Sequence, residues 1–211
     1  MLAVYAADVS RLDLDREYPL SGYRLEKLKK QKLLSAGKLG VGAELLLIKA
    51  LETAAPELSP PLPIVCGEGG KPALSGGGLY FNLSHSGVYA ACAVSDCPVG
   101  LDIQSEREHK ERLAERFFSA QERIFIAGSG NRDYAFTQIW SMKESCVKLL
   151  GTGLQTPLSS FTVDTEKGRT EIDGRRLFFH HCLLHGCHLS VCSENEADIR
   201  SVHVHLIKLQ P

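Results

Sequence analysis

The residues best placed by type and spacing to do chemistry are a glutamate and two lysines, Lys143, Glu144 and Lys148, beside the single tryptophan of the chain, Trp140. The run from Trp140 to Leu150 contains neither Gly nor Pro, and Trp140, Val147 and Leu150 return near one stripe at helical spacing. A helix is predicted, on which Glu144 and Lys148, four residues apart, stand side by side. A carboxylate able to hold a hard cation, flanked by ammonium groups, suits a polyphosphate carried with its metal. The same spacing is that of an ordinary surface pair worth about 0.3 kcal/mol, so the pair alone decides nothing.

Three further clusters bear on the question. In Asn82-Leu83-Ser84-His85-Ser86-Gly87 two hydroxyls and an imidazole crowd a strand end, which suits a phosphate and equally describes a polar β-turn. A Ser/His/Asp hydrolase fits poorly, because Ser84 and His85 are neighbours and no Gly-x-Ser-x-Gly elbow exists. In Gly100-Leu101-Asp102-Ile103-Gln104, strand alternation puts Asp102 and Gln104 on one face. Asp102 then reads either as a magnesium ligand or as a cap for a helix starting at Ser105. Gly70-Lys71-Pro72 is a stiff turn that presents one ammonium. The C-terminal run His180, His181, Cys182, His185, Cys187, His188 and Cys192 invites a zinc reading, as a metal-stabilised interaction module. Its spacing matches neither paired C-x-x-C nor C2H2 patterns, and alternation would scatter the side chains over both sheet faces.

The elements that must position these residues can be read in order. Met1 to Asp8 reads as a strand rather than a signal peptide, since it has no basic start and reaches Asp8 before a long apolar core develops. Ser21 can cap a basic helix running towards Leu34, and a second helix covers Ala43 to Ala54, with Pro56 stopping it. Short strands at 64–66 and 73–74 flank the Gly67–Pro72 turn, and 79–83, 88–94 and 99–103 are predicted strands. Ser105 with Glu108 and Ser119 with Glu122 have capping-box spacing and predict two helix starts. Gly151-Thr152-Gly153 closes the Trp140 helix and lacks the form of a dinucleotide fingerprint. From Phe161 to Leu209 the pattern alternates like an antiparallel sheet, with turns at 166–168, 173–174 and 185–186. Strands, then helices, then strands argue an α+β fold rather than a doubly wound parallel sheet.

Composition bounds the rest. With 24 basic and 25 acidic residues the formal charge is −1, which gives no bulk attraction for nucleic acid or an anionic membrane. Charge is uneven, however: Arg24, Lys27, Lys29, Lys30, Lys32 and Lys38 face one acid, Glu26, and form a local basic edge. No stretch reaches the length of a membrane span, and seven cysteines, an odd number without a secretory signal, read as reduced thiols. A soluble cytoplasmic protein is expected.

Taken in order, Gly70-Lys71-Pro72, the 81–87 run Phe-Asn-Leu-Ser-His-Ser-Gly, the 99–104 run, the 116–122 run Arg-Phe-Phe-Ser-Ala-Gln-Glu and the 140–154 run resemble the 4'-phosphopantetheinyl transferases of the Sfp type. The resemblance runs from about Arg24 to Leu154, and the last motif is the most specific. It implies magnesium-dependent transfer of phosphopantetheine from coenzyme A to a serine of an apo acyl or peptidyl carrier protein, releasing 3',5'-ADP. It also implies a monomer of two similar α+β lobes, a pseudo-dimer with a small antiparallel sheet packed on helices in each, divided as 1–98 and 99–211, with the active site in the cleft between them. By the same resemblance Asp102 and Glu144 hold magnesium; Lys143, Lys148, Lys71, Ser84 and His85 contact phosphates and nucleotide; and Arg24, Lys27 and Lys38 contact the 3'-phosphate. Glu144 and Lys148 carry the chemistry, as base and as support for the leaving group. One departure stands out: many relatives have Glu where this chain has Gln104, a weaker magnesium ligand that a water can replace. The alternative this leaves is a catalytically weak relative that binds coenzyme A or carriers as a scaffold.

Overall fold

The computed structural model describes residues 1–31 and 33–209, apart from the side chains of Glu68 and Leu154; Lys32 of the basic run lies outside the described residues. Strand β1 (Leu2–Asp8) opens the chain, followed by helices α1 (Gly22–Lys29) and α2 (Leu34–Ala54). A small hairpin of β2 (Ile64–Cys66) and β3 (Pro72–Leu74) precedes strands β4 (Tyr80–Ser86), β5 (Tyr89–Ser95) and β6 (Val99–Ser105). Helices α3 (Glu111–Phe117), α4 (Ala120–Gly128) and α5 (Arg132–Leu150) follow. Strands β7 (Arg169–Ile172), β8 (Arg175–Leu184) and β9 (Cys187–Ser193), helix α6 (Glu196–Ser201) and strand β10 (Val204–Leu206) end the chain.

Two four-stranded sheets form, in the orders β10-β1-β5-β4 and β6-β9-β8-β7. The long helix α2 lays Leu46, Leu47, Ala50 and Leu51 onto the first sheet, where they pack with Ala7, Phe81, Ala90 and Val94. In the second sheet the corresponding layer is α5, whose Phe136, Ile139, Met142 and Cys146 meet Leu177, Phe179 and Cys192. This is the expected α+β build, with sheets packed on helices.

The sheets meet along their edges, and side chains rather than a backbone ladder join them. β4 is the edge of one sheet and β6 the edge of the other. Asn82, Ser84 and Ser86, spaced two apart, all point from β4 towards β6. Asn82 Oδ1 accepts from the Leu101 amide at 3.2 Å, Ser84 Oγ from Ile103 at 3.1 Å and Ser86 Oγ from Ser105 at 2.9 Å. Unpaired edge amides are thereby satisfied, as buried backbone donors must be. The 81–87 motif is therefore first a seam between two sheets. Apolar side chains close it from the opposite face, where Val4, Ala6, Ala91 and Ala93 pack on Val99, Leu101, Leu189 and Val191.

Several local expectations change. The Ser105/Glu108 capping box does not form: Ser105 N is held by Ser86 and Glu106 N by the Gly186 carbonyl at 3.4 Å, so the chain stays extended and α3 starts at Glu111. The box at Ser119 and Glu122 is present, with both hydrogen bonds made. α1 has its Ser21 cap but stops at Lys29, and α2 starts nine residues earlier than the apolar pattern suggests. The tail is not all antiparallel: after α6, β10 crosses back and pairs parallel with β1, Val4 opposite Val204.

Candidate active site

Gly100 lets β6 and α5 approach until a Cβ at that position would stand 1.8 Å from the Ser145 carbonyl oxygen. That contact sets Asp102, two residues along β6, against the face of α5 that carries Glu144 and Lys148. Asp102 Oδ1 accepts from Lys148 Nζ at 2.7 Å and from Ser84 Oγ at 2.9 Å. Lys148 also reaches Ser84 Oγ, at 2.8 Å. The other oxygen, Asp102 Oδ2, is buried without a hydrogen-bond partner. Such an orphaned acceptor costs roughly 1–3 kcal/mol unless something fills it. Glu144 is half-buried beside this pair. Burial first, and then the Asp102 charge, push its carboxyl above the usual range, against the pull of Lys148 and Arg107. Two neighbouring carboxylates, one with a free buried oxygen, have the donor set that suits magnesium, which takes one or two carboxylates and keeps its other positions for phosphate oxygens and waters. Among the described residues no group of three or more His, Cys, Asp and Glu could hold a metal, so an all-protein cage is not what is built.

From this pair opens a cleft of about 930 Å³. Its walls differ in character. The part from the first half of the chain is basic, with Arg24 and Lys27 from α1, His85 from β4 and Lys71 from the β2–β3 turn. Burial lowers the His85 imidazole, and the charges of Lys148 and Arg24 lower it further, against the pull of Asp102. Lys71 donates to the carbonyls of Leu149 at 3.2 Å and Val99 at 3.4 Å, across the seam, and burial brings its ammonium down to about 8. The second half of the chain contributes an apolar part, Phe117, Trp140, Val147, Pro157 and Leu158, together with Arg116.

The structure thus brings Glu144, Lys148, Lys71, His85, Arg24 and Lys27 around one cleft, with Asp102 buried behind Lys148, and sets others elsewhere. Lys143 does not reach it. Its ammonium is fully buried, 2.9 Å from Glu122, because residue 143 lies on the core stripe of α5 with Phe136, Ile139 and Cys146. Lys38 donates to the Ser10 carbonyl at 2.8 Å and is not among the residues lining the cleft. Ser84 is buried in the seam, its oxygen already shared by Ile103, Asp102 and Lys148, which leaves it a positioner of Asp102 and not a phosphate donor. Gln104 gives its Nε2 to Ser86 Oγ at 3.3 Å, so Oε1 is the atom it could offer a cation. The His/Cys run brings two rings together, His181 Nε2 and His188 Nδ1 being 3.1 Å apart.

Residues that sequence reasoning passed over include Tyr23, Phe117 and Leu158 on the walls, and Glu44 beneath Arg24. Glu44 is fully buried and accepts from Ser21 N at 2.5 Å and Arg24 Nε at 3.3 Å, which fixes the guanidinium in the basic part. A lone acid inside the apolar run 41–48 was the available signal, since such acids are rarely buried unless paired.

A comparison of the sequence with protein-family models matches residues 98–199 to the 4'-phosphopantetheinyl transferase superfamily. The matched stretch contains Asp102, Glu144 and Lys148. The chain is similar to the 4'-phosphopantetheinyl transferase gsp of Aneurinibacillus migulanus, 36% identical over 96 residues, 44% of this chain and 40% of that protein. It is also similar to psf-1 of Bacillus pumilus, 46% identical over 40% of this chain and 37% of that protein. Sfp of Bacillus subtilis (strain 168), another named phosphopantetheinyl transferase, is 41% identical over 40% of this chain and 38% of its own length. The chain thus spans about two-fifths of the length of these relatives. Among the described residues no helix is long and apolar enough to cross a membrane.

Proposed function

We propose that this chain transfers 4'-phosphopantetheine from coenzyme A to a serine hydroxyl of an apo acyl or peptidyl carrier protein, releasing 3',5'-ADP. The observation that carries the reading is the meeting of Asp102 and Glu144, from two elements, with Lys148 on one Asp102 oxygen and the other oxygen buried and unpartnered. In the reaction the serine oxygen forms a bond to the phosphorus bearing the pantetheine, and the bond from that phosphorus to the bridging oxygen of the pyrophosphate breaks. The serine proton goes to Glu144, directly or through a water. Lys148 steadies the charge that develops on the departing phosphate. Asp102 and Glu144 are the residues that would hold magnesium, which when bound would neutralise the pyrophosphate oxygens; Gln104, in place of a third acid, would leave that position to a water. Arg24, Lys27, His85 and Lys71 bind and orient the anionic part of the coenzyme.

Support for the arrangement comes from the two helix-on-sheet halves, which we take as similar lobes, 1–98 and 99–211, with the cleft between them. The same reading makes the protein a monomer of the cytoplasm, a compartment that suits seven free thiols. Incubation with apo carrier, coenzyme A and magnesium, followed by intact mass, tests the function. One phosphopantetheine per carrier is expected. A carrier that binds but gains no mass would make the protein a scaffold.

A further inference from the structure

We propose that Lys143 is a positioning residue whose buried ammonium pins the 156–161 wall of the cleft, and that this wall seats the acceptor protein. The inference rests on the transferase reading above and concerns how that reaction admits its second substrate.

Lys143 is fully buried, and two of its three polar partners are carbonyls of the 158–161 stretch. Nζ donates to the carbonyls of Leu158 at 2.6 Å and Phe161 at 2.5 Å, and lies 2.9 Å from Glu122 Oε2. It also stands 4.3 Å from the centre of the Phe161 ring. Glu122 extends the pin: Oε1 accepts from Val163 N at 2.8 Å and Oε2 from Ser119 N at 2.8 Å. One buried ion pair therefore fixes the carbonyls of 158 and 161 and the amide of 163. Pro157 and Leu158, in the same segment, line the cleft. An ion pair in the core seldom gains stability over an apolar pair of similar volume. A Met or Leu at 143 would fill the same stripe; what it would lack is the means to hold two carbonyls of a short 3-10 turn and its exit.

The charge distribution along the cleft says which substrate the wall serves. Arg24, Lys27 and His85, which would gather the anionic donor, come from α1 and β4 on the first core. Phe117, Trp140 and Leu158 pack on the second core, and with Pro157 they offer apolar surface that suits the uncharged arm and the protein that receives it. Releasing the wall should therefore weaken the acceptor and spare the donor.

The test measures KM for apo carrier and for coenzyme A separately in Lys143→Met, with hydrogen exchange over 156–163. The expected result is a rise of about tenfold in carrier KM, a coenzyme A KM within about twofold of wild type, and faster exchange confined to the wall. Lys143→Met strands the Glu122 charge, so the neutral pair Lys143→Met/Glu122→Gln is measured beside it and carries the test if the single variant does not fold. Carrier KM unmoved, both KM values rising together, or a fall in kcat alone would overturn the proposal. Wild-type transfer in the same assay separates the two claims: absent transfer sinks the transferase reading with it, whereas transfer with unmoved KM values sinks this inference alone.

Discussion

Replacing Gly100 by Ala would put a methyl group where α5 already stands. The added carbon would lie 1.8 Å from the Ser145 carbonyl oxygen, 2.7 Å from Leu149 N and 2.9 Å from Leu149 Cβ. Two of those atoms are helix backbone, which cannot rotate aside, so α5 must recede from β6 by about 1.5 Å to restore ordinary contact. Overpacking of yielding side chains costs about 1–3 kcal/mol, and this rigid contact belongs at the upper end, about 3 kcal/mol. The same recession draws Lys148 Nζ from Asp102 Oδ1, now 2.7 Å apart, and Glu144 with it. A misplacement of about 1 Å can cost a hundredfold in rate, so phosphopantetheine transfer should fall by about that factor even in molecules that fold. Urea unfolding gives the stability change and its m value, and carrier mass against time gives the rate. Gly130→Ala is the control, since a Cβ there meets nothing within 4 Å. If Gly100→Ala unfolds at the wild-type midpoint and turns over normally, the reasoning that β6 and α5 are registered through this contact is wrong.

Other consequences can be checked as directly. Glu144→Gln and Lys148→Ala should abolish transfer while leaving circular dichroism close to wild type, though Lys148→Ala should lower the urea midpoint because it strands the buried Asp102 charge; near-normal turnover of both would remove their assigned roles. Gln104→Glu should tighten magnesium, read as a leftward shift of the metal titration, and an unmoved titration would take residue 104 out of the metal's surroundings. His85, His180, His181 and His188 all have imidazoles lowered by burial, His181 to about 4. Their unfolded forms take up protons first, so the stability they contribute is full above about pH 6.5 and is lost as pH falls towards 4. Glu144, raised, acts with the opposite sign. Urea midpoints from pH 7 to 4 should fall, and His181→Phe should flatten the fall; a flat wild-type profile would contradict these burial effects.

Much of the fold was legible because local signals agreed. The caps at Ser21 and Ser119, the left-handed Gly151 and the hairpin turns at Asp173-Gly174 and His185-Gly186 each satisfy local backbone geometry, which sequence records. Ser105/Glu108 has the same local form and failed, because the Ser105 amide was claimed by Ser86 from another sheet. No local rule sees that competition. The parallel return of β10 to β1 is equally non-local. Within the site, the acids and Lys148 were readable from type and spacing, whereas Lys143 was misread by its neighbour: Glu144 faces the cleft, and one residue back along a helix is about 100° away. The stripe Phe136, Ile139, Lys143, Cys146 already held that answer. The seam role of Asn82, Ser84 and Ser86 was hidden because two-residue spacing of small polar groups describes an exposed strand face as well as an edge that stitches another sheet.

The central claim is that Asp102 and Glu144 share one divalent cation when coenzyme A is bound. Electron paramagnetic resonance with Mn²⁺ as the probe, titrated in the presence of coenzyme A, addresses it without relying on turnover. One tightly held ion per chain is predicted for the wild type, lost in Asp102→Asn and in Glu144→Gln alike. Retention of that ion by both variants would contradict the claim.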